Sequence, residues 1–144
     1  MSDVMERMEP LAEMAALVPR HVVAPASGYW FLASPYTKYP AGLCAAFKLA
    51  VETRGLLIAA GIPVFSPVIH SHPVAMACGL DPVNLTLWLA TEAPMRLAAR
   101  GMIELRAANW EMSVGMTAER REFILHGKPI VPMLPGILPK EFLA

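Results

Sequence analysis

The chain has 144 residues, 56% of them hydrophobic and 17% charged, and its 12 Lys and Arg balance 12 Asp and Glu at zero net charge. That length favours one domain with a real core, and the apolar content excludes a disordered segment. A neutral balance excludes a duplex-binding surface, which needs surplus Lys and Arg, so no nucleic-acid partner is expected.

Cys44 and Cys78 are the only cysteines and show no paired-ligand spacing, which fits free thiols in a reducing cytoplasm. The start, MSDVMERMEPLAEM, mixes acids with apolar residues and does not read as a signal peptide. No window reaches the roughly 20 apolar residues of a membrane span. A cytoplasmic domain with no membrane partner is expected, its surplus apolar surface serving contacts between copies of the chain.

In chain order, Ser2–Val18 reads as a short amphipathic helix and Pro19–Gly28 as a connector, together an arm over residues 1–28. The domain proper then covers residues 29–144. Tyr29–Ala33 is an apolar, aromatic run suited to a buried strand, ending in the Pro-rich turn SPYTKYP. Ala41–Ala60 is a long helical stretch closed by Gly61, and Ile62–Val68 is a second buried strand. IHSHP reads as a loop, and the stretch containing GLDP as surface chain. Val83–Arg100 has helical period and is expected to break near Pro94. Met102–Leu105 is a weaker third strand, Val114–His126 a helix stopped by Gly127, and Lys128–Leu134 a fourth strand. Strands alternating with helices predict an α/β fold with a parallel sheet.

In such folds, ligands bind beyond the carboxyl ends of the strands. That rule selects SPYTKYP, SPVIHSHP and RAANWEMSVGMTAE, which hold most of the polar and aromatic oddities. Ser113 and Gly115 open a helix whose free N–H groups can hold an anion, and Glu119 follows nearly two turns along. The same Ser and Glu also suit plain helix capping and the helix dipole. His70 and His72 can share a metal with Cys78, but no spacing supports a closed site, so no metal or other cofactor is expected. Tyr36, Tyr39 and Trp110 suit either stacking on a planar ring or ordinary loop packing. Glu92 is either a solvated acid or a site residue. Glu104 interrupts the third strand, so that strand lies at a sheet edge or Glu104 faces a polar crevice.

Taken together, FLASPYT, GIPVFSPVIHSHP, WEMSVGMTAE and GKPIVPM resemble the nucleoside 2-deoxyribosyltransferase-like superfamily over Tyr29–Leu134. The resemblance is closest to a bacterial and phage branch catalogued as a domain of unknown function. It implies a flavodoxin-like three-layer fold with a parallel sheet of four to five strands. It also implies cleavage or transfer at the N-glycosidic bond of a nucleoside or nucleoside 5′-monophosphate. Glu119, in a Ser-x-Gly…Glu pattern with Ser113 and Gly115, would be the nucleophile. Ser113 and the helix start would hold phosphate, while Ser34, Pro35 and Tyr36 would line the sugar and base pocket. His70 and His72 would lie over the base, Trp110 would touch base or sugar, and Glu92 would assist the leaving base. The family pattern carries an Asp where Arg100 stands and a Gly where Asn109 stands. The resemblance further implies a homodimer or larger assembly that helps close the site. Two rivals accompany this reading: a non-catalytic nucleotide-binding module on the same fold, and a metal-dependent hydrolase using His70, His72 and Cys78.

Overall fold

A computed structural model describes residues 28–143 of the chain. The expected N-terminal helix, and all of the connector but Gly28, lie outside the described residues. The strands are β1 (Trp30–Ala33), β2 (Val64–Phe65), β3 (Gly101–Leu105) and β4 (Ile130–Met133). The helices are α1 (Leu43–Ala59), α2 (Pro67–Cys78), α3 (Leu85–Ala98) and α4 (Val114–Leu125). The sheet is four-stranded and all parallel in the order β2-β1-β3-β4. Helices flank it in a flavodoxin-like three-layer arrangement. Among the described residues, no helix is long and apolar enough to cross a membrane.

Strand alternation sorts the core into two layers. Trp30, Leu32, Ile103, Leu105, Val131 and Met133 gather on one face with Leu49, Leu56 and Leu57 of α1. Phe31, Ala33 and Met102 gather on the other with Met95 of α3 and with Met116 and Phe123 of α4. Phe31 is fully buried between Phe65 and Phe123, at centroid distances of 5.8 and 5.6 Å. Burying a side chain of that size contributes roughly 1.5–3 kcal/mol. Every residue of β1 and β3 is buried, as expected of inner strands covered by helices on both faces.

Three sequence expectations need correction, and one open alternative is resolved. The second strand ends at Phe65, because Ser66 caps a helix there: its Oγ accepts from Ile69 N at 3.2 Å, and Pro67 suits the first helical position. IHSHP is therefore helical, and α2 runs through Pro73 to a stop at Gly79, whose φ of 65° lies in the left-handed region. The helix around Pro94 does not break: α3 is continuous from Leu85 to Ala98. Pro94 cannot supply the usual N–H to the Ala90 carbonyl; one residue earlier, Arg96 Nη2 donates to the Leu89 carbonyl at 2.7 Å. Of the two alternatives for Glu104, the edge strand is excluded, since β3 pairs with both β1 and β4; the residue borders a cavity with Glu111 and Arg120 instead.

Candidate active site

The strand order places β1 and β3 side by side, while the chain leaves β1 toward β2 and β3 toward β4. This is the switch point at which loops diverge and open a crevice. A cleft of about 550 Å³, counting its open mouth, occupies it. Ser34 and Tyr36 enter from the turn after β1, and Pro67, Val68 and Ser71 from the start of α2. Leu85, Trp88, Leu89 and Glu92 enter from α3, and Ser113, Gly115, Met116 and Glu119 from the start of α4.

Two acids face this cleft. Glu92 is 4% exposed and Glu119 is 6% exposed. Burial is the main force on both carboxyls, because a low-dielectric setting disfavours the charged form. It pushes Glu119 up to about 8, with Glu92 and Glu122 adding to the rise and Arg96 opposing it. Glu92 is also raised by burial, against the pull of His70 and Arg96. His70 Nδ1 lies 3.2 Å from Glu92 Oε2. Arg96, buried on α3, donates through Nε to Glu122 of α4. Among the described residues, no donor reaches the Glu119 carboxyl, which leaves it open toward the cleft.

Ser113 caps its helix and also lines the cleft. Its Oγ accepts from Met116 N at 3.2 Å, capping α4, which starts at Val114. The hydroxyl proton stays available to a ligand. Ser34 Oγ is buried without a partner among the described residues, beside the same cleft. A buried hydroxyl in that state is a group waiting for a ligand or a water.

Of the residues singled out from sequence, Ser34, Tyr36, Glu92, Ser113, Gly115 and Glu119 line the cleft. Pro35, His70, His72 and Trp110 are not among its lining residues. Pro35 is buried behind the turn. His70 and His72 act one step back: His70 contacts Glu92, and His72 Nδ1 meets the Tyr36 hydroxyl at 2.5 Å while stacking on Phe47. The Tyr36 hydroxyl is pushed up to about 12, chiefly by burial. Trp110 borders a second cavity with Glu104, Glu111 and Arg120. Cys78 is exposed, and no group of three or more metal-holding side chains forms among the described residues.

Arg100 stands at the amino end of β3, over the Trp30 ring at 4.9 Å, whereas the cleft lies beyond the carboxyl ends. Its positive charge therefore does not face the cleft. Asn109 has φ +63°, a left-handed conformation that Gly takes freely and Asn tolerates. Its side-chain amide donates to the Lys38 carbonyl at 3.0 Å, joining the loop before α4 to the loop after β1.

Sequence reasoning missed Ser71, Trp88, Leu89, Arg96 and Glu122. A signal for most of them existed. Leu85, Trp88, Leu89, Glu92 and Arg96 fall on one helical stripe. Breaking the helix at Pro94 hid it.

The cleft lies within a stretch that matches a known family. The family described as Domain of unknown function (DUF1937) matches residues 28–134. The chain belongs to that family. The DUF1937 match contains all four strands and every residue named in the cleft, and stops short of the C-terminal turn at Lys140–Phe142. No curated protein matches the chain.

Proposed function

We propose that this DUF1937 protein cleaves or transfers the N-glycosidic bond of a nucleoside or nucleoside 5′-monophosphate, as a relative of the nucleoside 2-deoxyribosyltransferase-like enzymes. One observation carries the reading: two buried carboxyls from different helices face one cleft, each held above the ordinary carboxylate range chiefly by burial, with Glu92 adding to the rise at Glu119. Two such carboxyls are expected to keep a proton near neutral pH. With that proton on Glu92 and Glu119 ionised, they supply both forms the reaction needs; Glu119 keeps its proton up to about pH 8 in the free protein, so it must give the proton up before it attacks.

In this mechanism a Glu119 oxygen bonds to C1′ as the bond from C1′ to the base nitrogen breaks. Glu92 gives its proton to the departing base. Water or a second base then attacks C1′, returns a proton to Glu92 and frees Glu119. The transition state carries positive charge on the sugar, which a carboxylate at C1′ stabilises. Ser34, Ser113 and the N–H groups at the start of α4 would bind sugar hydroxyls or phosphate. Trp88 and Tyr36 would flank the base. A second copy of the chain would close the cleft mouth, next to which Met112 and Val114 leave 61% and 63% of their surface exposed.

The test is a base-release assay on ribo- and deoxynucleosides and their 5′-monophosphates, with and without an added free base. Release from at least one substrate, with a loss of about 1,000-fold or more in Glu119→Ala, is expected. Wild-type turnover in that variant would remove Glu119 as nucleophile. Ligand binding with no turnover across the panel would leave a non-catalytic binding module.

A further inference from the structure

Glu104 is the residue that the mechanism leaves unused. It sits in an inner strand between Ile103 and Leu105, both fully buried, and is itself 1% exposed. A lone carboxylate there would be severely destabilising, so its partners matter. Arg120 Nη1 donates to both of its oxygens at 3.0 Å. Arg106 donates to Oε1 through Nε at 3.2 Å and Nη2 at 3.1 Å. Arg106 also lies over the Trp110 ring at 4.8 Å. One buried acid therefore holds both ends of the segment that delivers the candidate nucleophile. Arg106 starts the loop after β3, and Arg120 follows Glu119 on α4.

We propose that Glu104 is a positioning residue for Glu119: it grips Arg120 to fix the rotation of α4 about its axis, and Arg106 to fix the loop ending in Ser113. The inference rests on the proposed role of Glu119. Consecutive helix residues point about 100° apart, so locking Arg120 against β3 sets the direction of Glu119. No donor among the described residues reaches the Glu119 carboxyl itself, so its direction follows from how α4 is held. The other anchors of α4 are the Ser113 cap, the apolar Met116 and Phe123, and the Arg96–Glu122 pair, which ties the helix to α3; of these charged ties, the one from Glu104 holds the residue next to Glu119 and holds it against the sheet. A side-chain tip lies about 5–6 Å from the helix axis, so a turn of about 10° moves it by about 1 Å. A displacement of about 1 Å at a reacting group can cost about 100-fold in rate.

The test compares wild type with Glu104→Gln, Arg120→Met and the double variant. The first readout needs no substrate: carbon-13 NMR titration of the Glu119 carboxyl, assigned with Glu119→Gln. Glu92, Arg96 and Glu122, the charged groups that act on Glu119, are retained in every variant. A moved midpoint therefore reports a moved carboxyl. The second readout is kcat and KM for base release. Each single variant is expected to shift the midpoint down from about 8 as the carboxyl swings toward solvent. Each should also lower kcat about tenfold or more with KM within about twofold, the double variant being no worse than either. Glu104→Asp should recover part of both. A lowered melting temperature with midpoint and kcat at wild-type values would overturn the proposal. If no protein in the set releases base, the midpoint alone decides: a shift upholds the positioning role, an unchanged value overturns it, and the silence counts against the proposed reaction only. Should Glu104→Gln fail to fold, Arg120→Met carries the test, because the Arg120 side chain is 43% exposed.

Discussion

The protonation of Glu119 couples the cleft to the stability of the whole chain. Its carboxyl is raised from an ordinary 4.5 to about 8 in the folded protein. Below pH 4.5 both folded and unfolded states hold the proton, so pH has no effect through this group. Between 4.5 and about 8 the unfolded chain releases it while the folded chain keeps it, so stability falls as pH rises. Above about 8 both forms are ionised and the loss levels off. The slope is at most about 1.4 kcal/mol per pH unit. Glu119→Gln is therefore expected to melt close to wild type near pH 5 and clearly above it at pH 8.5, in thermal scans across that range. Equal melting temperatures at both values would mean that the carboxyl is solvated. Part of this was legible in the residues: a Glu two turns into a helix that opens with Ser and Gly invites a cleft reading. Its burial was not, because it depends on α3 crossing beside α4 and presenting Glu92 and Arg96. The roles of Arg100 and Asn109 were equally hidden. One turns on which end of β3 faces the cleft, and the other on a backbone angle.

At the scale of elements, capping explains both the successes and the failures of the sequence reading. The Ser113 cap and the Gly127 stop, with its φ of 64°, bounded α4 within one residue of expectation. The Ser66–Pro67 pair carried the same kind of signal for α2, but the two histidines and Pro73 drew the reading toward a loop. Pro94 misled in the same way: α3 runs through it unbroken, with Arg96 Nη2 donating to the Leu89 carbonyl across the same stretch. The start of α3 depends on Asn84, whose Oδ1 accepts from Leu87 N at 3.2 Å. Asn84→Ala is expected to cost about 1 kcal/mol, read as a shift in the denaturation midpoint with unchanged slope. The same change loosens the turn that carries Trp88, so weaker ligand binding should accompany it.

For the molecule as a whole, the parallel α/β class followed from the alternation of apolar runs, while the strand order did not. No local pattern says that β3 pairs with β1 instead of with β2; the pairing comes from which faces the helices cover. That order requires a close approach at Gly101, where a Cβ would meet Trp30 Cζ3 at 2.5 Å and the Pro129 carbonyl oxygen at 2.8 Å. Gly101→Ala should destabilise the fold by about 1–3 kcal/mol through overpacking at the amino ends of the strands, far from the cleft. Chemical denaturation measures the loss, and activity at low temperature should survive it. The three tryptophans are also distributed usefully across this architecture. Trp30 is sealed in the core against Phe142, Trp110 lies at the second cavity under Arg106, and Trp88 alone lines the cleft, its Nε1 tied to the Asp81 carbonyl at 2.9 Å. Since neither Trp30 nor Trp110 lines it, the fluorescence of one indole becomes a built-in optical gauge of whether the cleft is filled, readable without a labelled ligand and without any reaction taking place.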